Sequence, residues 1–148
     1  MISAWWIGVT AEARRIMLRL GRDDRLLPAV SSAVAFIGEQ AGLESAAQAD
    51  LVAAVDEACR ETFPVLPNDD PQLELTVEGL ADRVEVTLEH RGAARGLEPF
   101  LAGRRGPAGG ASGLSLLSRV DRVQYNSESG ASKTTLIKYL RPLISETT

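Results

Sequence analysis

The chain has 148 residues and a mass of 15.8 kDa, enough for one domain with a single buried core and too little for two. One cysteine, Cys59, and one histidine, His90, exclude a structural zinc site, an iron–sulfur cluster and an internal disulfide, each of which needs more ligands than the chain has. Sixteen basic residues against twenty acidic ones leave a net charge of -4 and a pI near 5.1, which speaks against nucleic-acid binding by bulk charge.

The lone thiol fits a reducing, cytoplasmic compartment. Met1 to Thr10 is apolar, but it lacks the basic region and small-residue cleavage site of a signal peptide. It also falls far short of the roughly 20 residues that cross a bilayer, so no membrane attachment is expected. Residues 1–12 read as an apolar arm holding both tryptophans, Trp5 and Trp6, either as an extra strand on the core or as a surface for a partner.

From Arg15 to Arg22, Ile16, Leu18 and Leu20 alternate with Arg15, Met17 and Arg19, the period-2 pattern of a half-buried strand. Asp23-Asp24 reads as a turn and helix start. Leu27, Val30, Val34 and Ile37 then recur at helical spacing until Ala41-Gly42 ends the run. A second helix is expected over 46–63, capped by Ser45 and closed by Pro64 and Pro67, with Leu51, Ala54, Val55, Ala58 and Phe63 on its apolar side. Leu73, Leu75 and Val77, then Val84, Val86 and Leu88, form the two arms of a hairpin with one wet face.

Residues 91–113 contain seven of the thirteen glycines and no sustained period, the pattern of a long loop. A short helix over 114–120 and strands over 123–126 and 134–140 complete the order β-α-α-β-β-loop-α-β-β. That order predicts an α+β fold: a two-layer sandwich with helices on one face of a mostly antiparallel sheet. The expected organisation is the arm, one domain over 13–141, and a tail over 142–148.

The helix segment Ala54-Val-Asp-Glu-Ala-Cys-Arg-Glu-Thr-Phe63, the hairpin, Gly110-Ala-Ser-Gly-Leu-Ser-Leu-Leu117 and Val120-Asp-Arg-Val-Gln-Tyr125 together resemble the ATP-binding domain shared by gyrase, histidine kinases and MutL, the GHKL type. Within it, the sequence is most similar to the anti-sigma factor serine kinases of the RsbW type. The resemblance spans nearly the whole chain. In that family a helix carries Glu-x-x-x-Asn; Glu57 falls on the position of the base, and Glu61 replaces the magnesium-binding Asn. His90 replaces the aspartate that accepts a hydrogen bond from the adenine amino group. Gly92 keeps the first glycine of that box, and Ala94 replaces the second. Gly109, Gly110, Gly113 and Leu114 match the second glycine box, whose backbone amides at a helix start suit phosphate oxygens. Asp121 matches an aspartate before the family's next strand, and Gly130-Ala-Ser132 stands where the family has Gly-Thr.

The resemblance implies ATP and magnesium as cofactors, with Glu61 as the magnesium ligand. Two substitutions bear on them. Glu61 adds negative charge beside a triphosphate, and a neutral imidazole at His90 is a weaker acceptor than a carboxylate. The resulting expectation is a regulatory protein of a bacterial partner-switching pathway that binds a sigma factor or a STAS-domain antagonist, with nucleotide binding weakened or lost. The alternative is an active serine/threonine kinase that phosphorylates a STAS-domain partner. A homodimer is expected, because relatives pair through the open face of the sheet. A Cys–His hydrolase is set aside: Cys59 is in mid-helix, and no third residue is placed to orient His90.

Overall fold

The structure is a computed structural model that describes residues 14–92 and 118–140 in full and 6–10 as backbone. The elements run β1 (Trp6–Thr10), β2 (Arg15–Gly21), α1 (Leu27–Ala41), α2 (Ser45–Thr62), β3 (Gln72–Gly79), β4 (Arg83–Arg91), β5 (Arg122–Glu128) and β6 (Ala131–Tyr139). Single 3-10 turns at Asp24–Leu26 and Phe63–Val65 lead into α1 and out of α2. The fold is α+β, as the alternating and helical periods predicted. The arm contributes a strand, because residues 6–10 pair antiparallel with β2.

The six strands lie in the order β1-β2-β3-β4-β6-β5, every described pair antiparallel. Because side chains alternate along a strand, one face collects Ile16, Leu18, Leu20, Leu73, Leu75, Val77, Val84, Val86, Leu88 and Leu136, all buried. α1 packs on β2, β3 and β4, while α2 lies beside α1 and reaches β6. Leu27, Val30, Val34 and Ile37 from α1, with Leu51, Ala54, Val55, Ala58 and Cys59 from α2, close the core against that face. Burying each large aliphatic side chain contributes about 1.5–3 kcal/mol. Leu75, with no exposed surface, is a site where truncation to Ala would cost about 2–5 kcal/mol.

The opposite face is polar. Register aligns Arg19, Glu74, Glu89 and Lys133 in one row across it and Met17, Thr76, Thr87 and Thr135 in the next. Arg15, Glu78, Glu85 and Ile137 make a third.

Two local expectations need correction. Ser45 is the first residue of α2 rather than its cap; Glu44 occupies the cap in an extended conformation and makes no side-chain capping bond. The first strand ends at Gly21, because Asp23 turns the chain by accepting a hydrogen bond from the Arg25 backbone amide (3.0 Å). Residues 93–117, which include most of the expected loop and the start of the expected short helix, lie outside the described residues, as does the tail over 142–148.

Candidate functional site

α2 and the end of β4 carry the site residues that the structure describes. On α2, Asp50, Glu57 and Glu61 are spaced seven and four residues apart, which at 3.6 residues per turn aligns them on one side of the helix. Asp50 fixes which side: its carboxylate is 3.7 Å from Lys138 Nζ of β6. The stripe therefore looks toward the β6 side of the helix layer. Glu57 and Glu61 are both half-buried, and their i, i+4 spacing sets two like charges one helical turn apart, which destabilises a helix by about 0.2–0.5 kcal/mol.

His90 continues the inward series Val84, Val86, Leu88 on β4, so it faces the helix layer, while Glu89 points to the open face as strand alternation requires. His90 is at the strand end, yet only 7 % of it is exposed. Its Nδ1 lies 2.8 Å from the Arg91 carbonyl oxygen. A carbonyl only accepts, so Nδ1 donates to it; in the Nδ1–H tautomer the other ring nitrogen, Nε2, is an acceptor. That Nε2 is buried and has no hydrogen-bond partner among the described residues.

The chain beyond His90 is clamped. Gly92 has φ +88, a left-handed conformation that an L side chain adopts only under strain, and a Cβ there would sit 3.5 Å from Pro67 Cγ. Its amide donates to the Gly130 carbonyl (2.7 Å), and Ser132 Oγ donates to its carbonyl (2.6 Å). Gly92 thus ties the end of β4 to the β5–β6 turn. Pro67 belongs to the segment leaving α2, so the end of β4 and the C-terminal end of α2, where Glu61 lies, share one end of the molecule. A hollow of about 330 Å³ lies at that end on the polar face of the sheet, lined by Arg19, Asp70, Glu74, Glu89, His90 and Arg91, none of them from α2.

The opposite end is tied by Lys138. Its ammonium donates to the Arg119 carbonyl (3.0 Å) and lies 3.9 Å from Asp121 as well as 3.7 Å from Asp50. Asp121 has a structural position: its amide donates to the Ile137 carbonyl (2.9 Å), and its Oδ2 accepts from the Tyr139 amide (2.8 Å), pinning the start of β5 to the end of β6. Sequence reasoning assigned Lys138 no role. The available signal was its parity with Thr134 and Leu136, since a lysine on an inward strand position needs carboxylates to meet it.

The glycines expected to hold phosphate, Gly109, Gly110 and Gly113, lie outside the described residues, as do Leu114 and Ala94. The base end of the expected nucleotide site fits the chain, because the buried acceptor at His90 matches an amino donor. At the metal end, Glu61 brings a carboxylate where the resemblance implies an amide, and among the described residues no group of three or more His, Cys, Asp and Glu side chains gathers as metal ligands. No helix of the described residues is long and apolar enough to cross a membrane. No protein-family model matches the chain, and no curated protein matches it.

Proposed function

We propose that this chain is a regulatory binding protein built on a GHKL-type, RsbW-like domain, in which the handling of magnesium–ATP is weakened and the working event is the grip on a protein partner, a sigma factor or a STAS-domain antagonist. The observation that carries the reading is the carboxylate stripe of α2. Asp50, Glu57 and Glu61 share one side of the helix, and Lys138, a cation near the Asp50 end of it, is engaged by Asp50 and Asp121. A metal triphosphate brought to that side meets added negative charge, and two unit charges at about 4 Å repel by about 4 kcal/mol at an effective dielectric constant near 20.

Calorimetric titration with ATP in the presence of magnesium tests the reading. Dissociation in the millimolar range or no binding is expected; micromolar, magnesium-dependent binding overturns it. A kinase reading is favoured by one observation, the retention of Glu57 at the position of the base on the same side as Glu61. Labelled ATP incubated with a STAS-domain substrate separates the two: phosphate transfer that Glu57→Ala abolishes supports the kinase, and no transfer supports the binding protein.

A further inference from the structure

We propose that the solvent side of α1 is a self-association surface, on which α1 of a second copy packs antiparallel about a twofold axis at Ser32. This surface is separate from the open face of the sheet. Three observations meet on it.

The first is an uncharged outer side. Between Arg25 and Glu39 the chain carries no charged residue, and the positions that α1 turns outward, Pro28, Ala29, Ser32 and Phe36, are exposed. A surface helix ordinarily puts charge on that side, as α2 does with Asp56, Glu57, Arg60 and Glu61. Phe36 is 52 % exposed, more than any other large hydrophobic side chain among the described residues. A single exposed apolar residue is ordinary; an aromatic ring projecting from an uncharged helix side is a contact surface.

The second is a pattern that reads the same in both directions. Arg25, Pro28, Ser32, Phe36 and Glu39 are three, four, four and three residues apart, which at 3.6 residues per turn keeps them on one side with Ser32 at the centre. Laid antiparallel on a second copy about that centre, the side sets Phe36 on Pro28 of the second copy, Ala29 beside its Ala35, and Ser32 on its Ser32. The same patch thus serves both partners, as a twofold interface requires. The small residues at the centre let the two backbones approach closely.

The third is charge complementarity. Glu39 is exposed in the last turn of α1, where the helix dipole disfavours an anion, and no basic residue accompanies it in that turn. At the other end, the Arg25 side chain is 87 % exposed. Asp23 holds its Nε (3.0 Å) and Nη2 (2.9 Å), which leaves Nη1 for another acceptor. Antiparallel pairing brings Arg25 of each copy to Glu39 of the other; parallel pairing would set like against like.

One helix per copy buries less than the roughly 1,200 Å² of a stable interface, so this association belongs to concentrated protein, roughly 0.1–1 mM, and dilute protein does not populate it. Cysteine cross-linking tests the axis directly, because Cys59 has no exposed surface and an introduced thiol is then the accessible one. Helices packed at about 8 Å place facing Cα atoms near the roughly 4.4–6.8 Å that a disulfide spans. On mild oxidation at about 0.3 mM protein, Ser32→Cys should form a linked dimer at least about tenfold faster than Ala46→Cys, an exposed position on α2. Adding Phe36→Glu to Ser32→Cys should remove that excess. Glu39→Arg should reduce it, Arg25→Glu together with Glu39→Arg should restore it, and Lys133→Glu on the sheet should leave it unchanged. Equal rates at the two cysteines, an excess indifferent to Phe36→Glu, or a charge swap that fails to restore it overturns the proposal. A Ser32→Cys thiol that resists labelling in dilute protein also overturns it, by showing that another segment of the chain covers α1. Loss of the linked dimer with Lys133→Glu overturns it as well and moves the contact to the sheet.

Discussion

Cys59 lies on the buried side of α2 with no exposed surface, and burial pushes its thiol up from 9.0 to about 12, Asp56 adding to the push and Arg60 opposing it. The thiolate is the reactive form, so the native protein should resist a thiol reagent that labels the unfolded chain readily. The raised value also ties stability to alkaline pH. Between the ordinary value of 9.0 and the folded value of about 12, the unfolded chain has released a proton that the folded chain keeps. Stability is therefore fully present below 9.0 and falls as pH rises through that window, with a limiting slope of about 1.4 kcal/mol per pH unit. Urea denaturation at about pH 8 and about pH 10 checks it: the wild type should lose about 1 kcal/mol more than Cys59→Ala, and equal losses would contradict the assignment. The placement of Cys59 was legible from its neighbours on the apolar side of a helix. For His90 the alternation of β4 revealed the face but not the burial, because what closes over the end of a strand comes from remote segments, such as Pro67 against Gly92.

The end of α1 shows how an element boundary is built and how to test it. Gly42, with φ +97, lets the Leu43 amide donate to the Gly38 carbonyl (2.8 Å) while its own amide donates to the Glu39 carbonyl (3.1 Å), the paired bonds of a Schellman closure. A Cβ on Gly42 would meet no atom within 4 Å, so the cost of Gly42→Ala is the left-handed backbone alone, about 1 kcal/mol, with Gly42→Asn costing less. Urea unfolding measures both, and a loss for Ala no larger than that for Asn would show that the turn has another source of stability. This stop signal was legible as Ala41-Gly42, since few residues other than glycine end a helix this way. The start of α2 was misread by one position, because Ser45 carries the right side chain yet Glu44 has the extended backbone that a cap requires. β1 was left open between a strand and a partner surface for a different reason. A short apolar stretch has no period of its own to read, and only its pairing with β2 makes it a strand.

At the scale of the described residues, one face of the sheet is covered by helices and the other is mainly polar, with Ile137 buried at its edge, so it is not an apolar surface awaiting cover. Its rows place Glu74 directly opposite Glu89 and Glu78 opposite Glu85, like charges that are unfavourable as neighbours. Flanking cations offset them: Arg19 lies 3.4 Å from Glu74, Arg15 lies 3.8 Å from Glu78, and Lys133 is registered against Glu89. Threonines fill the middle, where the Thr87 and Thr135 hydroxyls approach to 3.4 Å. A hollow of about 440 Å³ runs over this surface, lined by side chains such as Glu78, Glu85, Glu89 and Lys133. A homodimer through this face, which the resemblance implies, would be held mainly by ion pairs and hydrogen bonds rather than by apolar burial. Exposed charge pairs are screened over about 10 Å at 0.1 M salt and about 3 Å at 1 M, so such a dimer weakens as salt is raised. Sedimentation velocity at about 0.05 M and about 0.5 M salt should show dimer giving way to monomer, and reversing Lys133 to Glu should give monomer at both. A dimer indifferent to salt and to Lys133→Glu would move the interface off this face, and a monomer throughout would remove the dimer.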